Sequence, residues 1–169
     1  MNALKIILLC VGAAVSYGVA HDLITAHLCV EYFTIGHPRI FDTESPTLLA
    51  LGWGVVATWW VGALLGLALA IAATRGPRVV RSAGSLVGPI AKLLAWMGGV
   101  ALIAGVIGYA LARNGAVILV GHLASEAPSD RHVAFLANLW AHTASYGMAF
   151  VGGILLDLRV WRSRRGPLA

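Results

Sequence analysis

Charge is what this chain has least of. Aspartate, glutamate, lysine and arginine make up 11% of its 169 residues, against about 25% in a soluble domain. Hydrophobic residues make up 59%, and the mean hydropathy is +0.84. A chain of this length cannot hide so much apolar surface in a water-soluble core. That excludes an ordinary soluble domain and leaves an integral membrane protein. A solvated basic domain is also missing. The net charge is +5, but the basic residues flank apolar segments, which argues against nucleic acid and for the lipid bilayer as the chain's partner.

Familiar metal and redox signatures are absent too. Cysteine occurs only as Cys10 and Cys29, with no CxxC or CxxCH pattern. On one continuous helix the two would stand roughly 28 Å apart, too far for a disulfide, so each reads as a small core residue. There is no HExxH and no pair of ExxH motifs. Nothing names a catalytic residue or decides whether the chain is an enzyme, and no inverted repeat of the transporter kind is evident.

What the chain does have is four long apolar segments, over residues 4–33, 46–74, 89–112 and 132–161. Each supplies the roughly 20 residues that a spanning helix needs. Ser45-Pro46 opens the second segment and Gly76-Pro77 closes it, because proline suits a first helical turn and ends a helix elsewhere. Pro89 opens the third, Asn114-Gly115 ends it, and Ser129-Asp130 offers a cap for the fourth. Residues 116–124 are too short to span and read as a helix extension or interfacial turn. The expected fold is an all-α membrane protein, a single domain of four transmembrane helices in an antiparallel bundle.

Arginine sets the orientation. Arg75, Arg78, Arg81 and Lys92 surround the loop over residues 75–88, and Arg159, Arg162, Arg164 and Arg165 crowd the C-terminal end. The loops over 34–45 and 113–131 carry only Arg39, Arg113 and Arg131. The positive-inside rule then places both termini and the middle loop on the cytoplasmic side of a multi-pass membrane protein.

Glycine is frequent within the spans, with Gly62 and Gly66 in a GxxxG, Gly98, Gly99, Gly105 and Gly108 in the third, and Gly147, Gly152 and Gly153 in the fourth. Small residues let helices approach closely in lipid. These read as packing surfaces inside the bundle. A second copy or a partner membrane protein is the other use for such faces. Trp53, Trp96 and Trp161 fall at boundary depths, whereas Trp59, Trp60 and Trp140 lie deeper, where an indole N–H needs a partner.

The titratable groups are lopsided. All six histidines fall toward the outward end, together with every acid except Asp157. Topology selection explains the acids and leaves the imidazoles unexplained. If the first helix runs to Phe33, His27 and Glu31 stand four apart on one face, with His21 on an adjacent stripe and Asp22 placed to cap or orient it. On the fourth helix, Asn138, His142 and Ser145 or Tyr146 share a face. Imidazole and carboxylate together suit zinc, iron or copper, and a buried histidine stripe can instead relay protons or hydrogen-bond a quinone-like ligand. The candidate metal ligands are His21, His27, Glu31 and His142, with Asp22, Asn138 and Tyr146 as further pocket residues. His37, His122 and His132 read as ordinary loop histidines. The run EYFTIGHPRIF reads as a folded outer cap anchored by Tyr32, Phe33 and Phe41.

The stretch HDLITAHLCVEYFTIGHP, followed by ESPTLLALGWGVVATWW, resembles an uncharacterised family of small bacterial four-helix membrane proteins over roughly residues 17 to 66. The resemblance implies a bacterial inner-membrane setting and supplies no activity, cofactor or partner. Three further readings compete with a metal or redox pocket: a non-enzymatic accessory or scaffold subunit, a small transporter, and a b-type cytochrome pairing His142 with His21. A separate alternative makes residues 1–20 a signal peptide cleaved after Ala20, and the mass of the purified protein decides that.

Overall fold

The computed structural model describes residues 1–164; Arg165, counted above among the C-terminal charges, lies outside them. Among the described residues the chain is helical and has no strands. The elements are α1 (Asn2–Leu28), α2 (Glu31–Thr34), α3 (Pro46–Val56), α4 (Trp59–Thr74), α5 (Val87–Arg113), α6 (His122–Glu126) and α7 (His132–Ser163). Four stretches are long and apolar enough to cross a membrane: Asn2–Leu28, Pro46–Thr74, Gly84–Arg113 and Ser129–Ser163. Much of their apolar surface is open, as at Leu102 (69% exposed), Leu8 (59%) and Leu155 (60%). An apolar girdle of this extent needs lipid against it, and the chain is a multi-pass membrane protein.

Two of the expected helices are broken. The helix read over residues 4–33 stops at Leu28, because Cys29 takes an extended conformation (φ −154, ψ 93) before α2 begins. No glycine or proline marks that point. The break is held from α7: Asn138 Nδ2 donates to the Thr25 carbonyl at 2.7 Å and the Cys29 carbonyl at 3.3 Å, and Arg131 Nη2 donates to the Leu28 carbonyl at 2.9 Å. The Thr25 and Cys29 carbonyls also accept from the backbone N–H groups of Cys29 and Tyr32, so the amide adds a second donor to each, while the arginine meets the Leu28 carbonyl left open at the helix end. The second span is likewise two helices, parted at Ala57–Thr58. The Thr58 hydroxyl donates to the Gly54 carbonyl at 2.5 Å, and the Tyr146 hydroxyl to the Ala57 carbonyl at 3.3 Å. Where α3 begins, Ser45 caps it through the Leu48 N–H, with Pro46 in the first turn. Residues 116–124 form turns and the start of α6.

Helix pairing follows the glycines. α1 packs along α3 and α4, α5 packs along α7, and α4 joins the two pairs through α7; α1 meets α5 only lightly. A methyl group at Gly54 would lie 2.6 Å from the backbone N and Cα of Val19, and one at Gly62 would lie 2.8 Å from the Cys10 carbonyl oxygen. Gly108 receives the Trp140 side chain in the same manner, and Gly153 faces Leu65. Gly12, Gly88, Gly99 and Gly147 meet nothing within 4 Å. Trp53, read above as a boundary residue, is buried (8% exposed), while Trp59 and Trp60 are open on the surface (52% and 43%).

The arginine-rich end is stapled by one of its own charges. Arg164 is 1% exposed. Its Nε donates to the Val79 carbonyl at 2.6 Å, Nη1 to that of Ala72 at 2.5 Å and Nη2 to that of Arg78 at 3.3 Å. The rigid guanidinium fork thus closes the end of α4 and the following loop onto α7. Arg78 lies 4.4 Å over the Trp161 ring, a cation–π contact. From the other terminus, Asn2 donates to the Arg81 carbonyl and accepts from the Ala83 N–H. Arg164→Ala leaves three acceptors unmet and is expected to cost about 3 kcal/mol. Thermal unfolding in detergent checks this. Arg164→Lys recovers little, because an ammonium cannot span the fork, and Arg162→Ala, at an exposed position, changes nothing measurable.

Candidate functional site

Among the described residues, one group of three His, Cys, Asp or Glu side chains has its ligand-type atoms all within 4.8 Å of one another: His21, Asp22 and His142. Consecutive residues on a helix point about 100° apart, so His21 and Asp22 straddle a groove, and α7 brings His142 between them. The rings of His21 and His142 meet edge to face, with centroids 4.5 Å apart. His142 Nε2 stands 3.2 Å from Asp22 Oδ1, both side chains less than a tenth exposed.

The hydrogen bonds at His142 fix its protons. Nδ1 lies 2.9 Å from the backbone carbonyl oxygen of Asn138, one helical turn back. A carbonyl only accepts, so Nδ1 carries hydrogen and donates. In a neutral imidazole Nε2 is then a lone pair, and it faces a carboxylate oxygen, itself an acceptor. Two acceptors at this distance need a positive charge between them: either a proton, giving an imidazolium–carboxylate pair, or a metal ion. His21 poses the complementary problem. Its Nε2 is buried and has no hydrogen-bond partner, alone in this among buried side-chain polar atoms of the described residues. An unmet buried polar group is costly.

An aromatic lid closes the site. α2 and the turn after it place the Tyr32 ring 4.5 Å from His142, stack Phe33 on His37 at 5.5 Å, and set His37 4.6 Å from Trp53. Phe33 is 2% exposed and Tyr32 8%. Gly36 is required here, because a methyl group would lie 2.5 Å from the Tyr32 carbonyl oxygen. His37 Nδ1 donates to that carbonyl at 3.0 Å, and His37 lines the same cavity as His21, Asp22 and His142. Burial holds its pKa below the usual imidazole value, with His142 lowering it further against the opposing Tyr32 and Asp22. His37 is therefore neutral at pH 7. By sequence alone His37 reads as an ordinary loop histidine. The signal was its neighbours, since an aromatic pair, a glycine, a histidine and a proline within seven residues describe a packed turn.

The cavity is narrow, about 110 Å³, and runs between α1, α3, α4, α5 and α7. Tyr17, Thr58, Ser145 and Tyr146 follow the histidines along it, and Cys10 and Asp157 line its far end. Tyr17 and Ser145 share a hydrogen bond of 2.8 Å across it.

The residues proposed from the sequence divide. His21 and His142 come together with Asp22. Asn138 stands beside them and acts through its carbonyl on His142 and through its amide on the end of α1. Tyr146 lines the cavity with its hydroxyl on Ala57. His27 and Glu31 stay apart from the group, because the break at Cys29 ends the helix that would have aligned them. His27 is exposed, its Nδ1 bonded to the Leu23 carbonyl and its Nε2 3.4 Å from the Thr47 hydroxyl. Glu31 receives Arg131 Nε at 3.0 Å on both oxygens, and the Cys29 thiol at 3.3 Å. Partial burial raises the Glu31 pKa, but its own backbone N–H and Arg131 outweigh that and leave it below the usual carboxylate value. The pair pins the lid to the start of α7. His122 is exposed and His132 bonds the Ala127 carbonyl.

A histidine and an aspartate on one helix, with a histidine from another, make a two-nitrogen, one-oxygen donor set of the sort that takes zinc or iron. Donors held about 2.1 Å from one ion stand roughly 3 to 3.5 Å apart, which the Asp22–His142 spacing meets without movement. The Nδ1–H bond from His142 to a backbone carbonyl is also the outer-shell contact that orients a ligating imidazole. No family model, no curated protein and no solved structure matches this chain, so the assignment of the site rests on its own geometry.

Proposed function

We propose that this protein is a bacterial inner-membrane bundle that holds one divalent transition-metal ion, zinc or iron, between His21, Asp22 and His142, as a metal or redox centre beneath the lid of Tyr32 and Phe33. The four spans form antiparallel helix pairs with both termini cytoplasmic, so the centre lies toward the periplasmic face. One observation carries the reading: a lone-pair nitrogen of His142 faces the Asp22 carboxylate at 3.2 Å, beside the unpartnered His21 Nε2. A divalent ion satisfies all three at once. The second reading, a proton shared by His142 and Asp22, accounts for that contact but leaves His21 unmet.

Elemental analysis of protein purified without chelators tests the proposal. About one equivalent of zinc or iron per chain is expected. Metal at a hundred times its Kd stabilises the fold by about 2.7 kcal/mol, so a chelator lowers the unfolding temperature and the metal restores it. Metal-free protein, with no stabilisation on adding either ion, overturns the metal reading and leaves the shared proton. Orientation has its own test. Thiols engineered at Val80 and Arg162, both exposed at the arginine-rich end, are expected to react with membrane-impermeant reagents only after the inner membrane is opened.

A further inference from the structure

The loose seam between α1 and α5 opens into a groove of about 420 Å³, distinct from the cavity beneath the lid. Ala20, Ile24 and Leu28 form one wall, and Gly98, Leu102 and Val106 the other. Ile24, Leu28, Leu102 and Val106 are each more than half exposed, so the groove opens sideways onto the surface that lipid covers. Its lining is almost wholly apolar, and polar side chains enter it at only a few points. Tyr17 and His21 line both this groove and the inner cavity, which makes them the partition between the two. Among the described residues neither ring nitrogen of His21 has a hydrogen-bond partner. Of the other polar groups on the groove, Thr25 and Asn138 are engaged with backbone carbonyls and Tyr109 accepts from Arg113, while the Tyr17 hydroxyl shares a 2.8 Å hydrogen bond with Ser145 in which either can donate, so it keeps its proton for a ligand when Ser145 is the donor.

Depth restricts the occupant. Tyr17 lies 11 residues before the end of α1 at Leu28, roughly 16 Å below it at 1.5 Å per residue, which is near the middle of a hydrocarbon layer about 30 Å thick. A phospholipid head cannot descend so far, because burying its charges there is prohibitive. An acyl chain descends freely but offers no acceptor to His21 or Tyr17. A molecule that suits both the apolar walls and these few polar groups is uncharged, long-tailed and capped by a carbonyl-bearing ring. The groove has the size of a small-molecule site.

We infer that this groove binds an isoprenoid quinone, entering sideways from the bilayer between α1 and α5, with a ring carbonyl accepting from His21 or Tyr17 and the tail running out along the apolar walls. A histidine has two nitrogens, so His21 can face the Asp22–His142 pair with one and the quinone with the other. The inference does not depend on the metal, and its test is read separately from metal content.

Detergent-purified protein is titrated with decylubiquinone and followed by calorimetry and thermal shift. Saturable binding of one molecule per chain is expected. Gly98→Leu fills the groove, since a methyl group there meets only Tyr17 Cε2, at 3.9 Å. It is expected to weaken binding at least tenfold with metal content unchanged. Gly99→Leu, where nothing lies within 4 Å, leaves binding unchanged. Tyr17→Phe keeps the ring, removes a donor and lowers affinity several-fold, which keeps the test open if Gly98→Leu fails to fold. Three results overturn the inference: non-saturable partitioning, equal affinity in wild type and both groove variants, or a retained phospholipid in native mass spectra that decylubiquinone does not displace.

Discussion

Asp22→Asn is expected to leave the metal-free bundle at least as stable as the parent while lowering zinc or iron affinity by about a hundredfold or more. The two effects separate because of the hydrogen-bond roles at His142. Its Nδ1–H is committed to the Asn138 carbonyl at 2.9 Å, which leaves a lone pair on Nε2 at 3.2 Å from Asp22 Oδ1. In the parent without metal, that contact needs a proton brought into a buried site. An asparagine amide supplies its own donor, and the contact becomes an ordinary neutral hydrogen bond of unchanged shape. The substitution also removes the anionic ligand, and even outer-shell changes at metal sites cost about 10 to 100-fold in affinity. His142→Ala removes the other partner and has the opposite effect on stability. It strands a buried carboxylate, which typically costs about 3 to 5 kcal/mol. Elemental analysis gives the metal content of both variants, and thermal unfolding with and without chelator gives the stability. If Asp22→Asn binds metal like the parent, His21 and His142 do not share an ion with Asp22.

Gly54→Ala is expected to cost about 3 kcal/mol, at the upper end for an added methyl group, and to lose the metal as well. The new Cβ lies 2.6 Å from Val19 N and Cα. These are backbone atoms in the middle of α1, so no side-chain rotation relieves the clash. α1 must move away from α3, and it carries Tyr17, His21 and Asp22 with it. Lipid does not drive helices together, so close approach at small residues is a large part of what holds such a pair. Gly12→Ala, on α1 with nothing within 4 Å, is the control and is expected to be neutral or slightly stabilising, since alanine is the better helix former. Thermal unfolding and metal content are read on both. A Gly54→Ala protein with parental stability would mean that α1 and α3 are not in contact at this depth.

Much of this molecule is legible along the chain. Residues 46–74 and 89–112 announce themselves through unbroken apolar length and through Ser45-Pro46, Pro89 and Asn114-Gly115. These signals are local: a bilayer demands about 20 apolar residues in a row, and proline and glycine act on the backbone where they stand. The gathering of imidazoles at one end and arginines at the other is equally local. The pairing of histidines with carboxylates is not. His27 and Glu31 looked aligned because nothing in LCVEYF stops a helix. The stop comes from Asn138 and Arg131, more than a hundred residues away, which bind the carbonyls of Thr25, Leu28 and Cys29. Asp22 looked like a cap for His21 because neighbours on a helix diverge, and only the arrival of His142 makes them converge. Along the chain Arg164 is one topology charge among several, and only the fold places three carbonyls around its guanidinium.

Sequence alone determined that this chain belongs in a membrane, how many times it can cross, and which end is rich in imidazole, because hydropathy and charge are sums over neighbouring residues. Tertiary structure decided which imidazoles meet a carboxylate, where α1 ends, and which seam of the bundle stays open. Each of those depends on where a distant helix places a donor or a ring, and no property of a local stretch contains that information.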